Sequence, residues 1–176
     1  MDHQLQSVLR YLQDNKLKLV TAESCTAGMI ASTLADEPGS GCWLECAFVT
    51  YSEEAKMRCI GVKPETIKRH NLTSEEVARE MAEGALRAAN ANVAISDTGV
   101  AGPGPGEGGI PAGTICFAWS FEHKDGVTTF SETRRFDGDR NAVRHAATDY
   151  AINRIWHYHN ALAADDARPH KLPEAV

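Results

Sequence analysis

Three groups of residues have the types and spacing for breaking a bond in a small polar substrate. The first is Thr21-Ala22-Glu23-Ser24-Cys25-Thr26-Ala27-Gly28, which follows the apolar run Leu17-Lys18-Leu19-Val20 and leads into the helical sequence Met29-Ile30-Ala31-Ser32-Thr33-Leu34. A strand, turn and helix of this kind put Ser24 near a helix N-terminus, where unpaired N–H groups and the positive end of the dipole favour negative charge. A serine there can be a nucleophile with an oxyanion site beside it. It can equally be a plain helix cap. Cys25 is a rival nucleophile, because thiols are reactive and helix starts lower their pKa. Consecutive helical residues point about 100° apart, so the two side chains are not expected to face one pocket.

The second group is Tyr51-Ser52-Glu53-Glu54-Ala55-Lys56. For Lys56 to act as a base near neutrality, its pKa must fall roughly three units from about 10.4, through burial or nearby positive potential. The alternative is a solvated helix charge paired with Glu53, three residues earlier. The third group runs from Thr98 to Gly113 and holds 7 of the 14 glycines and 3 of the 7 prolines. Glycine permits close backbone approach and proline limits freedom, a combination suited to a shaped binding loop, with a plain hairpin connection as the alternative. Gly104-Pro105-Gly106-Glu107-Gly108-Gly109 matches G-x-G-x-x-G in form, but it precedes Pro111 and a strand, so it is not a dinucleotide fingerprint. The ending of a P-loop is also missing.

Arg140 belongs with these groups, in Asp137-Gly138-Asp139-Arg140-Asn141 at the start of the last helix. A cation there opposes the dipole and calls for an anionic partner. Asp137 or Asp139 could supply it, or a substrate phosphate gripped by two of its oxygens.

The elements that must position these residues alternate along the chain. Gln4 to Leu12 reads as a helix and Leu17 to Thr21 as a buried strand. Pro38-Gly39-Ser40-Gly41 breaks the next helix, and Trp43 to Thr50 reads as a strand. Helices follow at Glu53 to Ile60, stopped by Gly61, and at Pro64 to His70. A longer one runs from the capping pattern Thr73-Ser74-Glu75-Glu76 toward Ala89. Strands are predicted at Val93 to Ser96, Thr114 to Phe121 and Val127 to Phe136, the last two joined at Asp125-Gly126. A final helix from about Asp139 carries the apolar stripe Val143, Ala147, Ala151 and Ile155. This order predicts an α/β fold, a three-layer α/β/α sandwich with a mixed sheet. It is read as one domain over residues 1–162, with a flexible tail at 163–176, where Ala, Asp, Pro, His and Glu take over.

Hydrophobic residues at 43% and charged residues at 24% are those of a globular chain, not of a disordered or fibrous one. A net charge of −6 disfavours nucleic acid as a partner, while leaving room for a small cationic pocket. No apolar stretch is long enough to span a bilayer, and Met1-Asp2-His3-Gln4 does not open a secretory signal. No membrane partner and a cytoplasmic location are expected. Five cysteines without framework spacing fit a reducing compartment, and Cys42-x-x-x-Cys46 lacks a second ligand pair for zinc.

Taken together, Thr21 to Gly28 and Thr98 to Pro103 resemble the motifs of the nicotinamide-nucleotide amidase family, also described as the C-terminal domain of the competence and damage-inducible protein CinA. The likeness extends from about Gln4 to Ala161. It implies deamidation of nicotinamide mononucleotide to nicotinate mononucleotide and ammonia, without metal or other cofactor. It also implies a nucleotide as the small-molecule partner and, commonly, a homodimer. By this resemblance Ser24 is the nucleophile and Lys56 its base, with Tyr51 and Ser52 in the same pocket. Thr26 and Gly28 lie at the oxyanion site, Thr98, Gly99 and Gly102 line the substrate loop, and Arg140 meets the phosphate.

The chain departs from that family where Gly-Gly commonly stands, having Ala27-Gly28, and where Asn commonly stands, having Glu53. A lysine often found near Ile110 is also absent. A carboxylate at Glu53 is expected to raise the Lys56 pKa and to repel phosphate. An inactive paralogue that keeps the pocket for nucleotide binding or regulation is the alternative these departures raise.

Overall fold

The computed structural model describes residues 3–166 of the chain. Every residue of β1 (Leu19–Glu23) is buried, which suits a strand covered on both faces. It lies inside a five-stranded sheet with β2 (Leu44–Val49), β3 (Val93–Gly99), β4 (Thr114–His123) and β5 (Gly126–Arg135), in the order β2-β1-β3-β4-β5. The pairs β1/β2 and β1/β3 are parallel, while β3/β4 and β4/β5 are antiparallel, so the sheet is mixed as expected.

Helices cover both faces. On one side α1 (His3–Asp14), α2 (Met29–Ala35), α6 (Arg140–Asn153) and α7 (Ile155–Asp166) enclose a core that includes Leu12, Ile30, Leu34, Phe117, Trp119, Ala147 and Ile152. On the other side α3 (Glu53–Ile60), α4 (Pro64–His70) and α5 (Glu75–Ala88) pack over Val20, Ala22, Ala94 and Ala118. The expected apolar stripe Val143, Ala147, Ala151 and Ile155 is wholly buried.

Several boundaries differ from expectation. β1 extends to Glu23, so Ser24 follows a strand end directly, while α2 does not start until Met29. The last helix is interrupted at Arg154 and resumes as α7, which runs to Asp166 and so passes the Ala163 limit expected for a frayed end. The remainder of the expected tail, 167–176, lies outside the described residues. In the β4–β5 hairpin the two turn residues are Lys124 and Asp125, while Gly126 already pairs with His123. Ser74 caps α5 by accepting from Val77 N, and with valine at that third position the reciprocal half of a capping box is missing.

One glycine controls how closely α3 can approach α5. A Cβ on Gly84 would lie 1.8 Å from the carbonyl oxygen of Ile60, so only glycine lets the end of α3 settle there. That seating also positions Lys56, one turn earlier on α3.

Candidate active site

The carboxyl ends of β1, β2 and β3 open onto one cavity, the usual place for a ligand in an open sheet with parallel strands. It measures about 270 Å³ and is lined by Ser24 and Cys25 after β1, Tyr51 and Lys56 after β2, and Thr98 to Gly102 at and beyond the end of β3. Asn71, Leu72 and Thr73 from the α4–α5 turn, Glu107, and Arg140 from α6 complete the wall.

Lys56 is buried to 1% exposure, not solvated. Its Nζ lies 2.9 Å from Ser24 Oγ and 2.6 Å from the carbonyl oxygen of Thr50, with the carbonyl of Tyr51 at 3.5 Å. Among the described residues no carboxylate forms an ion pair with it. Burial pushes its pKa below the ordinary lysine value, against a raising influence from Asp97 and then Cys25. The expected influence of Glu53 is therefore corrected. That side chain sits in the first turn of α3, favourably placed for the helix dipole, and does not line the cavity.

The turn after β1 also differs from expectation. Ser24 and Cys25 both line the cavity, because they lie in a bend before α2 and not on a helix. Cys25 Sγ donates to Asp97 Oδ1 at 2.9 Å, and burial is the main cause that pushes the thiol well up. It is held as a thiol, a poor nucleophile.

Thr26 and Gly28 do not reach the cavity wall. Gly28 N donates to Glu23 Oε2 at 2.8 Å, Ile30 N to the same oxygen at 3.1 Å, and Ala31 N to Glu23 Oε1 at 2.9 Å. Thr26 N donates to Asp97 Oδ1 at 3.2 Å. The positive end of α2 is thus taken by the protein's own carboxylate, and the amides expected to hold an oxyanion are committed inside. Ser52 likewise serves as the cap of α3, accepting from Ala55 N, and is absent from the wall.

Thr98, Gly99, Gly102 and Arg140 all line the cavity, as does Tyr51, which is 59% exposed at its mouth. Thr98 Oγ1 donates to the Leu72 carbonyl at 2.7 Å, tying β3 to the α4–α5 turn. Arg140 donates from Nη1 to the Gly102 carbonyl and from Nη2 to the Tyr51 hydroxyl, both at 2.9 Å. Asp139 instead caps α6 by accepting from Asn141 N and Ala142 N. Among the described residues neither Asp137 nor Asp139 pairs with the guanidinium.

Sequence reasoning missed Glu23, Asp97 and Arg144. Arg144 donates from Nε to the Cys25 carbonyl at 3.0 Å and from Nη2 to the Thr26 carbonyl at 2.9 Å, holding the turn from the far side. Its spacing of four from Arg140 on one helix was the available signal. For the two acids it was a carboxylate near the end of a buried strand, which needs partners.

These features define an α/β/α domain with a serine and a lysine facing one another in a pocket at the strand ends. A family profile described as the CinA C-terminal domain matches residues 2–159, and the chain belongs to that family. The chain is 47% identical over 138 residues to the nicotinamide-nucleotide amidohydrolase PncC of Escherichia coli K12, covering 78% of this chain and 82% of that one. It is 41% identical over 158 residues to a putative competence-damage inducible protein of Symbiobacterium thermophilum, covering 87% of this chain and 37% of that longer protein. Among solved structures it resembles a CinA superfamily protein from Escherichia coli, with a TM-score of 0.82, 36% identity and 89% of each chain covered. The corresponding protein of Klebsiella pneumoniae 700603 has a TM-score of 0.83 at 36% identity, covering 92% of this chain and 96% of that one. No helix among the described residues is long and apolar enough to cross a membrane.

Proposed function

We propose that the protein hydrolyses the carboxamide of nicotinamide mononucleotide, releasing nicotinate mononucleotide and ammonia, with Ser24 as nucleophile and Lys56 as base. The observation that carries this reading is the 2.9 Å approach of the buried Lys56 Nζ to Ser24 Oγ. The identity to an Escherichia coli nicotinamide-nucleotide amidohydrolase supplies the substrate class.

The neutral amine has two N–H groups and one lone pair. Donation to the Thr50 and Tyr51 carbonyls uses the first and leaves the lone pair for the Ser24 hydroxyl. As Ser24 Oγ bonds to the carboxamide carbon, its proton moves to Lys56 Nζ. The resulting ammonium stands beside the negative charge that develops on the substrate. The C–N bond then breaks, Lys56 returns the proton to the departing nitrogen, and ammonia leaves. Water attacks the acyl-enzyme and loses a proton to Lys56, the bond between the acyl carbon and Ser24 Oγ breaks, and Lys56 returns that proton to the serine oxygen. Arg140, whose acceptors among the described residues are the neutral Gly102 carbonyl and Tyr51 hydroxyl, can turn toward the phosphate.

The test is ammonia release from nicotinamide mononucleotide by the purified chain and by Ser24→Ala. Release by the parent and none by the variant supports the reading. Equal release by both removes Ser24, and binding of the nucleotide without release by the parent points to the inactive-paralogue alternative.

A further inference from the structure

Beneath the nucleophile turn, two carboxyl groups share one hydroxyl. Thr26 Oγ1 lies 2.8 Å from Glu23 Oε2 and 2.5 Å from Asp97 Oδ2, and all three residues are fully buried. A hydroxyl has one proton to donate. Were both acids ionised, one of these contacts would set two oxygens together with no hydrogen between them, where water cannot screen the repulsion. A second proton must therefore sit on one of the two acids.

The surrounding donors decide which. Glu23 accepts from Thr21 Oγ1 and Ala31 N at Oε1, and from Gly28 N and Ile30 N at Oε2, at the positive end of α2. Both Glu23 oxygens are thus met by backbone N–H groups, which can donate but cannot receive a proton. Asp97 accepts from Cys25 Sγ and Thr26 N at Oδ1, while its Oδ2 meets Thr26 Oγ1 alone.

We propose that Asp97 is a positioning residue held as the neutral acid, donating from Oδ2–H to Thr26 Oγ1, which in turn donates to an ionised Glu23. The chain of bonds ties the end of β3 to the turn that presents Ser24. Burial is the main influence that raises the Asp97 pKa, and the hydrogen bonds from Cys25 and Thr26 oppose it, with the Glu23 charge a smaller contribution in the raising direction. The other groups facing this centre are Cys25 on the same turn, Lys56 from α3, and Arg140 and Arg144 from α6. The consequence for the reaction rests on the amidase reading. An ionised Asp97 would stabilise the Lys56 ammonium, whereas a neutral one leaves the amine able to lose its proton.

Two isosteric variants separate the acids. Asp97→Asn preserves both features, an oxygen that accepts at one position and a donor toward Thr26 at the other. Glu23→Gln places an NH2 group among donors. We expect Asp97→Asn to keep the parent's thermal midpoint and an ammonia-release rate within about threefold, while Glu23→Gln loses on the order of tenfold or more, or melts early. The limb of the pH–rate profile set by Lys56 should stay in place in Asp97→Asn. Carboxyl-carbon NMR of the intact parent, labelled at aspartate, should find the Asp97 carboxyl protonated at neutral pH. The proposal is overturned by an ionised Asp97 resonance, by equal losses in the two variants, or by a limb that moves down about one pH unit in Asp97→Asn. Absence of ammonia release by the parent would dispose of the amidase reading, leaving the resonance and the melting data to judge Asp97.

Discussion

The Nζ of Lys56 lies 2.6 Å from the carbonyl oxygen of Thr50, so the amine is anchored to the end of β2 as well as aimed at Ser24. The anchor is neutral. It orients the nitrogen without the charge that would keep it protonated, and the predictions about reactivity follow from that distinction.

Lys56 is expected to impose a rise of kcat/KM with pH, with its midpoint below the 10.5 of an ordinary lysine, because burial favours the uncharged amine. Lys56→Arg keeps a cation that does not deprotonate, so it should remove this rise and lower the high-pH plateau by about 10² to 10⁴-fold, with a smaller ratio to the parent at lower pH. A pH series of ammonia release checks both. The same shift has a stability sign. The unfolded chain binds the Lys56 proton more readily than the folded one, so this residue's contribution to stability increases as pH rises from the folded pKa toward 10.5. Lys56→Met should abolish that part of the rise in denaturant melts.

Cys25 is expected to be dispensable for chemistry. Cys25→Ser retains a donor for Asp97 Oδ1 in nearly the same place, so ammonia release should stay within about threefold of the parent. Loss comparable to that of Ser24→Ala would identify the thiol as the nucleophile.

Arg140 is expected to act through binding. Removing it in Arg140→Ala should raise KM for the nucleotide about tenfold to a hundredfold while changing kcat little, as expected for loss of a charge-assisted contact made equally before and during reaction. The dephosphorylated nucleoside should be indifferent to the substitution. Steady-state kinetics on the two substrates decides it.

Two backbone positions should respond in opposite directions. Ala27 has φ 54°, a left-handed conformation that an L side chain disfavours, so Ala27→Gly is expected to stabilise the fold by about 0.5–1 kcal/mol. Gly84→Ala forces a Cβ into the Ile60 carbonyl and should destabilise by about 1–3 kcal/mol. Urea melts of the two variants measure both, and the second should also weaken catalysis by displacing Lys56.

Sequence by itself determined the elements and the layering. The apolar stripe Val143, Ala147, Ala151 and Ile155, the strand-forming runs and the turn residues act through local periodicity and backbone preference, and these are legible one segment at a time. It also singled out Ser24, Lys56 and Arg140 as candidate site residues, while leaving a cap, a solvated charge and a local ion pair open as their other roles. Ser52 illustrates the limit, since a serine preceding a helix looks the same whether it caps or lines a pocket. Only the tertiary structure decided that Lys56 is buried against Ser24, 32 residues away, and that Glu23 occupies the helix end expected to hold an oxyanion. The reason is physical. Desolvation and long-range donor geometry depend on which strands become neighbours, and the crossovers that place β2 and β3 on either side of β1 are set by packing of the whole sheet.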